Sequence, residues 1–201
     1  MSIRFSQTDI TFISKLSSTD FQKVLMLIES ANNIIYEYFG TTTSFDIIIC
    51  RGSWEMEVQI MSRIHNLSSG QYYNTKSAAI TDYRLKEIIV RFDVAKFGHY
   101  LHELVHGILS TRHSHQLREA LAWYFTLLLT ESKRYLQPNY HDMLNGLYIY
   151  PVKKMASVVG QEFLKDFALG KATILEEAFS QDVRDLFLPE EVFYAKKRYF
   201  K

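Results

Sequence analysis

The hydrophobic positions in the first quarter of the chain repeat with a helical period. Residues 17–20 (SSTD) include good N-cap residues, and apolar side chains then recur every three or four positions. Gly40 is suited to end a helix, because glycine readily adopts the left-handed backbone found just past helix ends. These signals predict a first helix between the two points. A short apolar, β-branched run at 45–50 then predicts a strand.

The period changes twice more before the middle of the chain. Residues 53–67 return to helical spacing, while 78–81 and 87–92 are short apolar runs joined by a polar link, which predicts a β-hairpin. From Val94 onward the helical period persists to the end. It predicts helices near 95–110, 115–133, 139–148, 151–159, 161–169, 171–179 and 189–200.

This order of elements predicts an α+β fold, with a helix and a small mixed sheet followed by an all-helical C-terminal half. We expect one domain over residues 1–201, in which 1–93 form the helix and sheet and 94–201 form the helical part.

Composition narrows the class of protein. The 201 residues are 47% hydrophobic and 22% charged with a formal charge of +1, which disfavours disorder, nucleic-acid binding and attraction to an anionic membrane. The lone cysteine, Cys50, excludes an intrachain disulfide and is expected to be a small buried residue. The first residues lack the apolar core of a signal peptide, and the longest apolar run, 120–129, spans about half of the ~20 residues that a membrane crossing needs. We therefore expect a cytoplasmic protein without a membrane segment.

The candidate chemistry lies in the predicted helix near 95–110. His102 and His106 belong to an H-E-x-x-H sequence, and the i, i+4 spacing places both imidazoles on one helix face, where they can share a metal ion. Glu103 is rotated by about 100° from His102, so its carboxylate can reach a water molecule without having to bind the metal. The spacing is typical of zinc hydrolases.

Catalytic zinc usually takes three protein ligands, so two histidines leave the site one short. The leading candidate is Glu119, which follows His106 after 12 intervening residues in a helix that Ser114 could cap. His113 and His115 are rival ligands. The alternative for Glu119 is a surface acid paired with a basic neighbour such as Arg118.

Residues 102–107 (HELVHG) together with 118–124 (REALAWY) resemble the gluzincin metallopeptidases, and 150–170 resemble the helical tail of peptidase-MA-like domains. The resemblance implies a zincin-like fold, with Zn²⁺ bound by His102, His106 and Glu119, and with Glu103 as general base. It also implies that 86–92 form a sheet-edge strand beside the metal-binding helix, where an extended substrate could pair.

The chain departs from thermolysin in two ways. Its histidine-to-glutamate spacing is shorter, which points to a compact gluzincin, and Trp123 stands where thermolysin-like enzymes have an acid that orients the first histidine. The partner of His102 is therefore unassigned. Related enzymes also stabilise the reaction's oxyanion with a downstream tyrosine or histidine; Tyr150 is our choice, with Tyr148 and His141 as rivals.

The resulting prediction is a zinc-dependent metallopeptidase that hydrolyses a peptide or protein substrate. Two alternatives stay open at this point: an ImmA/IrrE-like regulatory metallopeptidase that cuts a repressor partner, and a non-catalytic zinc-binding scaffold. Glu103 argues against the scaffold, because a purely structural metal site has no use for an unligated carboxylate beside the metal.

Overall fold

The computed structural model describes residues 2–5, 8–64, 77–130, 145–189 and 192–193. The chain divides into two compact units, Met1–Gly107 and Ile108–Lys201. The division falls after Gly107, so the helix that carries the H-E-x-x-H sequence belongs to the same unit as the sheet. The elements of the first unit are β1 Ser2–Phe5, β2 Thr8–Phe12, α1 Ser18–Phe39, β3 Asp46–Cys50, α2 Ser53–Ile64, β4 Ala79–Asp82, β5 Glu87–Arg91 and α3 Phe97–His106. The α+β class is confirmed.

The strands form one mixed sheet in the order β1-β2-β3-β5-β4. β2, β3 and β5 run parallel, and antiparallel β1 and β4 flank them. The expectation that 86–92 lie at the sheet edge is wrong, because β5 pairs with β3 on one side and β4 on the other. β4 is the outer strand of the β4–β5 pair. The burial of Ile88, Ile89 and Val90 explains the order, since a continuous apolar run is stable only where both faces of the strand are covered.

The two faces of the sheet are covered by different helices. On one face, Ile48, Cys50 and Ile89 pack against Met56 and Ile60 of α2. Alternation turns the neighbouring residues of β3 and β5 to the opposite face, where α3 contacts β4 and β5 and also packs against α1. Burial raises the pKa of the Cys50 thiol to about 12, so the sulfur stays protonated.

The first predicted helix is confirmed at both ends. Ser17 caps α1 through its hydroxyl, which accepts a hydrogen bond from the Asp20 amide at 3.1 Å, and Gly40 ends it with a left-handed φ of 70°. The two N-terminal strands were missed by the sequence reading. Their signal is a short alternation in which Ile10 and Phe12 are buried and Thr11 between them is only half-buried.

The described part of the second unit is helical. Its elements are α4 His115–Thr130, a π-helical turn Asn145–Ile149, α5 Tyr150–Val159, α6 Gln161–Ala168, a 3₁₀ turn Glu176–Ala178, α7 Gln181–Arg184 and a second 3₁₀ turn Asp185–Phe187. The helices predicted at 115–133, 151–159 and 161–169 are confirmed over these ranges.

The helix predicted over 171–179 is wrong. Only the 3₁₀ turn forms there, and none of its three residues is buried, so no packed apolar face supports a longer helix. The predicted helices 139–148 and 189–200 lie mostly outside the described residues. Within the described ranges no strand occurs beyond residue 115, as expected, and none of the helices there has both the length and the apolar character that a bilayer crossing requires.

Candidate metal centre

The three motif residues are buried on α3. His102, Glu103 and His106 expose 7%, 8% and 2% of their surfaces, although all three carry polar side chains. Their neighbours Leu101, Leu104 and Val105 are buried apolar residues. Buried imidazole and carboxylate groups are costly unless they bind a partner, so this stretch of α3 carries a concentrated polar site inside an apolar helix.

The two imidazoles converge on one point. Nε2 of His102 lies 3.1 Å from Nε2 of His106, with the ring planes perpendicular and the centroids 4.6 Å apart. Two imidazole nitrogens that bind one tetrahedral zinc at about 2.0–2.1 Å lie about 3.3 Å apart. The observed separation is close to that value, so the pair fits a shared metal ion.

The carboxylate of Glu103 is held by β4, an outer strand of the sheet. The hydroxyl of Thr81, on β4, donates a hydrogen bond of 2.6 Å to Oε2 of Glu103. Thr81 pairs in register with buried Ile88 of β5, on the face of the sheet that meets α3. The strand therefore fixes the direction of the carboxylate, one helix position from the first histidine.

A tyrosine contacts the second histidine from the turn that follows β4. The hydroxyl of Tyr83 is hydrogen-bonded to Nδ1 of His106, and the two rings meet edge to face with centroids 5.8 Å apart. The Tyr83 ring also meets the ring of Phe45, at 6.0 Å. Nδ1 of His106 therefore faces Tyr83, and Nε2 faces His102. Sequence reasoning missed both Thr81 and Tyr83.

The C-terminal end of α3 is packed without spare volume. A Cβ atom added at Gly107 would lie 2.0 Å from the Thr43 hydroxyl oxygen and 2.8 Å from the Thr43 Cβ. Thr43 is itself buried, and its hydroxyl accepts a hydrogen bond of 3.1 Å from the Phe45 amide. Gly107 thus allows the helix end, and with it His106, to lie directly against the 41–45 segment.

His99 serves the beginning of α3. Its Nδ1 accepts a hydrogen bond of 2.9 Å from the amide of Lys96, which precedes the first helical residue. Burial lowers the pKa of His99, and electrostatic interaction with His102 and Lys96 lowers it further. A neutral His99 suits this role, because only the neutral ring can accept the amide hydrogen bond.

Glu119 lies on α4 in the second unit and is half-buried. Ser114 caps this helix as predicted, since its hydroxyl accepts a hydrogen bond from the Leu117 amide at 3.2 Å and donates one to the Leu186 carbonyl at 2.6 Å. The cap fixes where α4 begins, and so places Glu119 about one turn into the helix.

The rival ligands have different surroundings. Nε2 of His113 donates a hydrogen bond of 2.9 Å to the Phe167 carbonyl, and the two rings lie 4.6 Å apart. That nitrogen carries a proton and has no lone pair for a metal. Burial lowers the pKa of His113. His115 is exposed at the first residue of α4. The contacts of His113 are therefore those of a packing residue within the second unit.

The three candidates for oxyanion stabilisation also differ. Tyr150 is 56% exposed at the start of α5, with the Lys154 ammonium 4.6 Å from its ring centre. Tyr148 is buried and stacks on Phe193 with ring centres 6.2 Å apart, which is a core contact. His141 lies outside the described residues. The choice of Tyr150 stays a prediction.

Comparisons with protein families, with curated proteins and with solved structures found no match for this chain.

Proposed function

We propose that this protein is a zinc-dependent metallopeptidase of the gluzincin kind. The observation that carries the proposal is the convergence of the two Nε2 atoms at 3.1 Å, beside a carboxylate aligned by a strand hydroxyl. An ordinary pair of helix histidines would need neither the burial nor the aligned Glu103. The outer position of β4 and its contact with α3 support a zincin-like arrangement of the sheet and the metal-binding helix.

In this proposal His102 and His106 hold the metal and Glu119 completes the set. Imidazole nitrogens and a carboxylate oxygen are donors of the kind that catalytic zinc takes in proteins; both histidines are buried and Glu119 is half-buried. A zinc ion held by these ligands would supply Lewis-acid chemistry, which polarises a carbonyl and makes a water molecule more acidic.

In this proposal, side chains of the protein move the protons and stabilise the charge that develops during hydrolysis. Glu103 accepts a proton from the attacking water and passes it to the leaving amine. The Thr81 hydroxyl donates a hydrogen bond to Oε2 of that carboxylate and so limits its rotation. Tyr150 is the proposed donor to the oxyanion that develops at the scissile carbonyl. An extended peptide would pair with β4, which is an outer strand of the described sheet and contacts α3, rather than with β5.

The decisive experiment compares wild type with Glu103→Gln for zinc content and for hydrolysis of a diverse peptide library. We expect about one zinc per chain in both proteins and at least ~10²-fold slower hydrolysis by the variant, the lower end of the usual contribution of a general base. Glu55→Gln, on α2, is the matched control for an unrelated change of charge.

The outcomes separate the candidate functions. Equal turnover by the two proteins contradicts the role of Glu103. Zinc binding by wild type without cleavage of any library peptide would favour a scaffold, or a peptidase that cuts one protein partner. Absence of zinc from wild type rejects the proposal.

A further inference from the structure

Two polar residues, one on β4 and one in the turn that follows it, meet two functional residues of α3. Thr81 lies on β4, opposite Ile88 and on the face of the sheet that meets α3, and Tyr83 is the first residue of the turn. Glu103 and His106 are three positions apart on α3, a spacing that places them on neighbouring parts of one helix face. Thr81 contacts Glu103, and Tyr83 contacts His106.

The first contact orients a carboxylate. Thr81 donates its hydroxyl proton to Oε2 of Glu103 at 2.6 Å. Because Thr81 is held in the β4–β5 pairing opposite Ile88, its hydroxyl position depends on the sheet and not on the flexibility of α3. A threonine at this position restricts the Glu103 rotamer.

The second contact involves the His106 nitrogen that does not face His102. The Tyr83 hydroxyl is hydrogen-bonded to Nδ1 of His106, and a phenol oxygen that accepts this hydrogen bond holds the ring in the form with the proton on Nδ1 and the lone pair on Nε2. That is the form a metal-binding Nε2 requires. Packing of the Tyr83 ring between Phe45 and His106 keeps the hydroxyl in place.

We propose that Thr81 of β4 and Tyr83 of the following turn are positioning residues. Tyr83 orients His106 for metal binding, and Thr81 orients Glu103 for proton transfer. The inference rests on the proposed zinc peptidase function and deepens it. It assigns separate tasks to two neighbouring residues. Loss of the Tyr83 hydroxyl should act on zinc affinity, whereas loss of the Thr81 hydroxyl should act on turnover.

The test measures zinc affinity by competition with a chelator, together with kcat and KM for a library peptide that wild type cleaves. Tyr83→Phe keeps the ring and removes the hydroxyl, and we expect zinc to bind about 10-fold to 100-fold more weakly, the usual cost of losing an outer partner of a metal-binding histidine. Thr81→Val keeps the shape, and we expect unchanged zinc affinity and KM with kcat lowered about tenfold, within the contribution of general-base catalysis. Thr81→Ser restores a hydroxyl and should recover kcat.

As a control for correct folding, the melting temperature of each metal-free variant is measured, and it should equal that of wild type. A measurement on wild type alone covers the case in which Tyr83→Phe does not fold: the ¹⁵N spectrum of zinc-loaded protein should show His106 protonated at Nδ1 and bound through Nε2.

Each result bears on one claim. Wild-type zinc affinity in Tyr83→Phe, or an Nδ1-bound His106, overturns the inference while leaving the zinc peptidase proposal in place. Equal weakening of zinc binding by Thr81→Val and Tyr83→Phe also overturns it, because the tasks would not be separate. Absence of zinc from wild type instead rejects the proposed function itself.

Discussion

Helices α3 and α4 both carry proposed zinc ligands, but the structure supports them differently. On α3, each motif residue is at least nine-tenths buried, and side chains of Thr81 and Tyr83 contact two of them directly. On α4, Glu119 is half-buried, and the Ser114 cap one turn earlier fixes where its helix begins. From this difference in burial we expect the two histidines to be held more rigidly than the glutamate before any metal arrives. Four predictions test that contrast, from the largest effect to the smallest.

The largest effect should follow from loss of a histidine on α3. We expect His102→Ala and His106→Ala each to weaken zinc binding by more than ~10²-fold, because a lost ligand costs more than a lost outer partner. Chelator competition measures the affinity. His115→Ala, at an exposed position, is the matched control and should bind zinc as wild type does. Stoichiometric zinc in both α3 variants would reject the site.

Gly107→Ala should test how tightly the end of α3 is packed. The added methyl group meets Thr43 at 2.0 Å, so the helix end or the 41–45 segment must move. We expect a loss of about 1–3 kcal/mol in the free energy of unfolding, the usual cost of overpacking. Urea denaturation of the metal-free protein measures it.

Gly146→Ala serves as the control for this glycine, because a Cβ there would have no atom within 4 Å. It should not destabilise the protein, since alanine favours helical backbone more than glycine does. Equal destabilisation by the two substitutions would show that the contact with Thr43 is unimportant.

Glu119→Gln should have a smaller effect on zinc than either histidine variant. The amide keeps an oxygen donor but loses the negative charge, so we expect binding to weaken by about tenfold, the lower end of the cost of disturbing a metal site. Glu177→Gln, at an exposed position in the same unit, is the matched control. An unchanged affinity would mean that the third ligand is another residue and would remove the gluzincin assignment.

The smallest effect concerns pH and the second unit. Burial lowers the pKa of His113 below its ordinary value of about 6.5, so the unfolded chain binds a proton more readily than the folded one. Stability from this residue is present above pH ~6.5 and is lost as pH falls through the folded pKa, with a slope below ~1.4 kcal/mol per pH unit.

His113→Gln removes this contribution, so its free energy of unfolding should depend less on pH than that of wild type as the pH falls below about 6.5. The lowered pKa of His99 acts in the same direction in both proteins and cancels in the difference. Metal-free protein in chelator is used throughout. Parallel pH curves for the two proteins would contradict the prediction.

Local periodicity was sufficient for much of the fold. Helix α1, including its Ser17 cap and Gly40 end, was predictable because capping chemistry acts within one turn of the chain. The β4–β5 hairpin and helices α4, α5 and α6 followed from short apolar runs and their spacing. The N-terminal strands were missed because Ile10 and Phe12 give too short an alternation, and because β3, the partner of β2, lies after a helix of 22 residues.

The sequence also contains a signal for which of the two hairpin strands lies inside the sheet. The continuous run Ile88-Ile89-Val90 is typical of an interior strand, whereas 79–82 (AITD) ends in polar residues suited to an outer strand. The resemblance to gluzincins instead predicted that 86–92 form the sheet edge, which is the wrong strand of the hairpin.

For the candidate site, the sequence by itself determined that His102 and His106 share one helix face. Four residues advance a helix by about 400°, only about 40° beyond a full turn, so their alignment needs nothing outside α3. Only the tertiary structure decided which residues support them. Thr81 and Tyr83 lie 22 and 23 positions from their partners, and they reach α3 only because the hairpin places β4 outside β5. Which side chains of the hairpin meet α3 depends on how distant elements pack, and a local sequence pattern does not encode that packing.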